Sequence, residues 1–166
     1  MNELFLYNNQ IEDITLLCKC LENNSCLKIL NLSGNQIEDK KCFIGQSLII
    51  LLKFLSNSCL KYLSLSYIQI ENITLLCKCL ENNSYLEYLN LCCNNIKDIT
   101  LLKFLLNSCL KELNLSNNNI KDITPLKFLE NNSCLRLLYL FYNPISKQDK
   151  QKIWKLAELK HIKLFI

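Results

Sequence analysis

One phrase returns along the whole of this 166-residue chain. Leu27 to Leu32 reads LKILNL, Leu60 to Leu65 LKYLSL, Leu86 to Leu91 LEYLNL and Leu110 to Leu115 LKELNL. Placing the first position at Met1, Leu27, Leu60, Leu86, Leu110 and Leu135 gives six copies of L-x-x-L-x-L-x-x-N-x-I, and a half copy begins at Leu159. Only Met1, in place of the first Leu, and Ile68, in place of the third Asn, depart from the pattern. A unit of about 25 residues cannot bury its own apolar face, so the chain must stack its copies into one continuous core. Composition agrees: 37 Leu and 22 Asn exceed a third of the chain, a bias that an ordinary mixed core does not need.

Within each copy the alternating leucines read as a short strand with one face turned inward. In the fifth copy Leu113 and Leu115 point in, Asn118 turns the chain beneath the strand and Ile120 closes the layer. With that motif spanning nearly every residue, the chain resembles the leucine-rich repeat family. The resemblance implies a single α/β solenoid over residues 1–166, a right-handed βα superhelix with a curved parallel sheet on its concave face and helices on its convex face. It also implies a ladder of stacked asparagine side chains bonding neighbouring backbone groups. Asn9, Asn35, Asn94, Asn118 and Asn143 match that ladder, and Ile68 interrupts it, a place for a local kink or loosened turn.

The second half of each unit reads as a helix. In Asp98-Ile-Thr-Leu-Leu-Lys-Phe-Leu-Leu-Asn, Asp98 is the expected N-cap, and Ile99, Leu102 and Leu105 or Leu106 recur at helical spacing. Asp13, Asn72 and Asp122 repeat the cap, and Pro125 falls in a first turn, where no backbone bond is lost. The Asp122-Ile-Thr-Pro-Leu phrase is similar to internalin-like and phosphatase-regulator-like repeats, whereas units of 24 to 26 residues lean toward the ribonuclease-inhibitor style. The second copy carries a nine-residue insertion at Lys40 to Leu48, expected as a flank loop or an added helical turn. The C-terminus is expected to close with a helix over Lys147 to Leu156 and a strand from Leu159 through Leu164. The start has no such closure, which suggests a homodimer or partner contact through the N-terminal edge.

Residues between the pattern leucines point onto the concave sheet and form columns. The first runs Glu3, Ile29, Tyr62, Tyr88, Glu112, Leu137, His161; the second Phe5, Asn31, Ser64, Asn90, Asn114, Tyr139, Lys163; the third Tyr7, Ser33, Ser66, Cys92, Ser116, Phe141, Phe165. Aromatic anchors beside short amides suit a protein or peptide partner, with Tyr62, Tyr88, Asn90, Asn114, Tyr139 and Phe141 as the candidate binding residues. The plainer alternative is that Ser and Asn are only solvated and that Tyr139 and Phe141 pack under the C-terminal closure.

Catalytic chemistry finds little support. Two Gly exclude glycine-rich phosphate loops, and a single His, His161, leaves no imidazole set for catalysis or for a metal. Cys18-x-Cys20 and Cys77-x-Cys79 diverge on a helix, so no metal and no cofactor are expected. Cys26, Cys59, Cys109 and Cys134 share one position and read as buried apolar fillers, while Cys92-Cys93 would be redox-sensitive if exposed. Eleven Cys without a leader suggest free thiols in a cytoplasmic protein with no membrane span. The net charge of +4 lies in the last twenty residues, where six Lys face Asp149 and Glu158; helix-end solubilisation explains it more simply than nucleic acid, which is not expected as a partner. The function expected is therefore a non-catalytic interaction scaffold, with a regulatory or adaptor subunit of a phosphatase or ubiquitin ligase as the alternative.

Overall fold

Alternating Leu side chains give each copy three residues of extended chain, too little to be stable alone, and their stability comes from pairing with the next copy. A computed structural model describes residues 2–21, 23–37, 59–81 and 83–166. The insertion expected at Lys40 to Leu48 lies outside the described residues.

Seven strands form one parallel sheet in sequence order: β1 Glu3–Phe5, β2 Ile29–Asn31, β3 Tyr62–Ser64, β4 Tyr88–Asn90, β5 Glu112–Asn114, β6 Leu137–Tyr139 and β7 Lys163–Phe165. The register sets Leu4, Leu30, Leu63, Leu89, Leu113, Leu138 and Leu164 side by side. Those leucines join Leu32, Leu65, Leu91, Leu115 and Leu140 in one core, closed from behind by Ile37, Ile70, Ile96, Ile120 and Ile145.

Past each of the first six strands the chain turns through a left-handed residue: Asn8, Gly34, Tyr67, Cys93, Asn117 and Tyr142, with φ between 53° and 66°. Gly34 is the one glycine among them, and a Cβ there would strike the Asn8 side chain. The next residue is the ladder position. Asn94 Nδ2 donates to Leu65 O (2.9 Å) and Leu91 O (3.0 Å), and its Oδ1 accepts the N–H groups of Ile68 (3.2 Å) and Ile70 (3.0 Å). Asn35, Asn118 and Asn143 bridge adjacent copies likewise, each through a carbonyl and an N–H of the preceding copy. Asn9 differs, since its Nδ2 reaches only Leu6 O and Tyr7 O of its own copy. Ile68 fills its slot with a side chain 1% exposed, and there alone among the described copies a second left-handed residue follows, Gln69 at φ 61°. The sheet register stays unbroken through β3, so the missing amide distorts the turn and not the strand.

The return segments are of two kinds. α1 (Thr15–Leu21) and α2 (Thr74–Leu80) are α-helical, whereas Thr100–Asn107 and Thr124–Glu130 are 3-10 segments. The helices expected from Asp98 and Asp122 are present in the 3-10 form, and the spacing of buried residues gives the reason. Ile99, Leu102 and Leu105 repeat every third residue, as do Ile123, Leu126 and Leu129, which is the 3-10 period. In α2 the buried set is Leu76, Cys77 and Leu80. The caps also move by one residue. Asp13, Asn72, Asp98 and Asp122 each accept the N–H of the Thr two residues on (2.7 to 2.8 Å), an Asx turn before the helix, and Ile73, Ile99 and Ile123 occupy the cap position.

Two further expectations are corrected. Cys26 is exposed and Cys59, Cys109 and Cys134 are half-buried, because the interior of that bend belongs to a polar side chain. Asn24, Asn83 and Asn132 each accept two N–H groups with Oδ1, those of Cys26 and Leu27, Tyr85 and Leu86, and Cys134 and Leu135. At the C-terminus, α3 runs over Lys147–Leu159, three residues beyond its expected end, with Ser146 capping Asp149 N–H at 3.1 Å. The last strand consequently enters two residues late: Leu138 pairs with Leu164, not Ile162, and Leu159 is helical and 77% exposed. A slip of two preserves the inward alternation of Ile162, Leu164 and Ile166, so the pattern alone does not distinguish the registers.

Candidate binding face

Each strand turns its first and third side chains out onto the sheet, and the pairing lines them up across copies. Tyr62 and Tyr88 are direct partners in the register, and their rings stack with centroids 4.2 Å apart and planes 4° from parallel. Asn90 and Asn114 are likewise neighbours in the second column. Each turns its Oδ1 back onto its own strand, accepting the N–H of Cys92 and Ser116 respectively at 3.0 Å. Tyr139 stacks on Phe165 at 4.5 Å and 6°. Phe141, 40% exposed, packs at 6.0 Å from Phe165 and 6.1 Å from Tyr142.

The six candidate residues thus fall into two groups: Tyr62, Tyr88, Asn90 and Asn114 on β3 to β5, and Tyr139 with Phe141 at the C-terminal end. Phe165 belongs with the second group because of the two-residue shift of β7; the shift moves Lys163 into the first column and takes His161 off the sheet into the turn after α3. Tyr142, 81% exposed, was hidden from pattern reading because it sits at the left-handed turn position and not on a strand. Between the Tyr88 and Tyr139 rings, on β5 and just past it, Glu112 and Asn114 are half-buried and Ser116 is buried, so the centre of the face is low and its flanks carry rings.

Charge is unevenly placed. Glu87 at the rim pairs with Lys61 (3.1 Å) and Lys111 (2.6 Å), which hold its carboxyl below the usual range, Lys111 foremost. On the face itself, burial, then the neighbouring Tyr62 and the charge of Glu112, raise the Tyr88 phenol. Tyr139 is raised by burial first, then by the charge of Glu112 and a hydrogen bond with it. Both phenols therefore stay protonated at neutral pH.

Burial raises three thiols as well, Cys92 beside the face and Cys77 and Cys79 on α2. Burial pushes Cys92 up to about 11, with the adjacent Cys93 adding to it while bonds from Ser66 and Asn90 pull back. Burial likewise takes Cys77 to about 12 and Cys79 to about 11. A thiol so raised is almost wholly protonated at neutral pH and is a poor nucleophile or ligand. Among the described residues, no group of His, Cys, Asp and Glu is placed to hold a metal ion, and no helix is long and apolar enough to cross a membrane.

Stacked copies of strand, asparagine turn and short helix, joined in one in-order parallel sheet, define an α/β leucine-rich repeat solenoid. A leucine-rich repeat family model matches residues 84–145 and a second matches residues 23–40. The whole chain also superposes on two internalins of Listeria monocytogenes: inlF, at 28% identity and TM-score 0.60 over 99% of this chain and 47% of that one, and internalin C2, at 29% and 0.59 over 100% and 70%. A leucine-rich repeat protein of Leptospira interrogans shares the fold at 23% identity and TM-score 0.59, over 100% of this chain and 49% of its own. This chain therefore spans about half the length of two of these relatives. No curated protein sequence matches it. The chain is a leucine-rich repeat protein.

Proposed function

We propose that the protein is a non-catalytic scaffold that binds a protein or peptide partner on the concave sheet face. Leucine-rich repeat solenoids generally mediate protein–protein interaction. The observation that carries the reading for this chain is the pair of aromatic stacks, Tyr62 with Tyr88 and Tyr139 with Phe165, standing either side of a low polar centre. Rings stacked across strands are held in place before a partner arrives, so little side-chain entropy is lost on binding. The test is a pull-down from lysate of the source cell with wild type and with a folded Tyr62→Ala, Tyr88→Ala, Tyr139→Ala variant. Loss of a defined partner by the variant supports the concave site; equal retention removes it.

Self-association through β1 is proposed alongside it. Among the described residues β1 pairs with β2 alone, and Leu4, Leu6, Ile11 and Leu17 are half-buried where their counterparts Leu30, Leu32, Ile37 and Leu76 are buried. Analytical ultracentrifugation tests this, and a strictly monomeric profile at high concentration retires it.

A further inference from the structure

Between the two ring pairs the sheet forms a slot with a charged floor. Tyr88 gives one ring face to Tyr62, and Tyr139 gives one to Phe165, which leaves the opposite faces of Tyr88 and Tyr139 turned toward β5. β4 and β6 lie two strand spacings apart, roughly 9.5 Å; Tyr88 stands in the first column, across from Leu137, and Tyr139 in the second, across from Asn90, so the two rings flank β5 on a diagonal. On β5 between them stand Glu112 and Asn114, both shorter than a tyrosine and both half-buried. The Glu112 carboxylate acts on both walls, through its charge at Tyr88 and through charge and a hydrogen bond at Tyr139. Among the described residues Glu112 has no ion-pair partner. Lys61 and Lys111 are drawn to Glu87 on the rim, and Lys163, two strands on in the same column, lies over the Phe165 ring at 5.1 Å.

We propose that this slot binds the guanidinium of an arginine in the partner segment, with Glu112 as its counter-charge, the free face of Tyr88 beside it in the same column as the surface it lies on, and Tyr139 flanking it on the diagonal. A guanidinium is planar, lies flat on an aromatic face and presents a fork of N–H donors to a carboxylate, so one group satisfies both kinds of surface. A lysine ammonium meets the carboxylate but uses the rings less, and an acidic side chain is repelled by Glu112. The inference deepens the concave-face reading and rests on it.

Panning a phage-displayed random dodecapeptide library on the wild-type protein tests it. Selected peptides are measured against wild type, against Glu112→Gln, and against the Tyr62→Ala, Tyr88→Ala, Tyr139→Ala variant, each shown to be folded by circular dichroism. The expected peptides share one arginine. Replacing it with alanine weakens binding to wild type about tenfold or more, but changes binding to Glu112→Gln by no more than about fivefold, because there the charge-assisted bond is already lost and only the ring contact remains. Peptides that need the tyrosines but lack an arginine, carry lysine in its place, or bind Glu112→Gln as well as wild type overturn the arginine slot and leave the concave site standing. Peptides indifferent to the tyrosines, or no selected peptides at all, overturn the concave site and the slot together.

Discussion

The two faces of the same seven strands follow opposite rules. Inward, Leu4, Leu30, Leu63, Leu89, Leu113, Leu138 and Leu164 are one residue type repeated along the whole sheet. Outward, the neighbouring column changes at almost every step: Glu3, Ile29, Tyr62, Tyr88, Glu112, Leu137, Lys163. A core built by stacking identical layers tolerates no variation in side-chain volume, while a sheet face open to solvent tolerates nearly all of it. What repeats specifies the fold, and what differs is where a partner can be recognised.

That division is broken most strongly from the inside. Leu113→Ala is expected to cost about 2–5 kcal/mol, since a fully buried leucine leaves a cavity that its identical neighbours cannot fill. Urea denaturation measures it, and Tyr88→Ala on the opposite face should cost clearly less while removing partner binding. The ladder gives the next largest effect. Asn118→Ala strands the Ile96 N–H in the core and takes from Leu91 O one of its two amide donors, an expected loss of about 1–3 kcal/mol, whereas Asn9→Ala, exposed and bonded only within its own copy, should fall within about 0.5 kcal/mol of wild type.

Smaller differences sharpen the comparison. Gln69→Gly is expected to raise stability by up to about 1 kcal/mol, because the left-handed backbone that follows Ile68 suits glycine, while Gln36→Gly, at the equivalent position with ordinary φ, should lower it. The smallest effect is titratable. Asp98 and Asp122 are lowered from 3.8 mainly by the Thr100 and Thr124 hydroxyls, then by the backbone N–H of each. A carboxyl depressed in the folded state adds stability above its unfolded pKa and loses it as the pH falls through the folded value. The acid-side decline, below about pH 4, should therefore be shallower in an Asp98→Asn, Asp122→Asn variant. That variant keeps the Asx turn, as Asn72 does natively with a 2.8 Å bond to Thr74 N–H. Urea midpoints between pH 2.5 and 5, on the ordinary carboxylate scale, check this.

Much of the architecture is legible in the sequence, because leucines at fixed spacing have one good arrangement. Strand positions, sheet order and the asparagine positions are all in the repeat. The details that escaped did so where two periods coincide. Leu105 and Leu106 allow either a 3-10 or an α step after Leu102, and only packing between copies selects Leu105. The two-residue slip of β7 was invisible because strand alternation has period two, and Leu159 reads as a pattern leucine although it ends α3. The face was legible as residue types in columns. Its ring stacks were half legible: Tyr62 and Tyr88 share a column in the repeat, but Tyr139 meets Phe165 only once the length of α3 is known. The cysteine position misled because Cys is often buried, while the Asn and Ser residues just before it bind the backbone more strongly.

Hydroxyl-radical footprinting of the protein with and without its bound partner tests the concave face most directly. Tyr62, Tyr88, Tyr139 and Phe141 should each lose reactivity in the complex, while Trp154 on the outside of α3 and Phe128 on the convex side keep theirs. Protection of Trp154 or Phe128 with the four concave rings unchanged would contradict the concave site and move the search to the helical side of the solenoid.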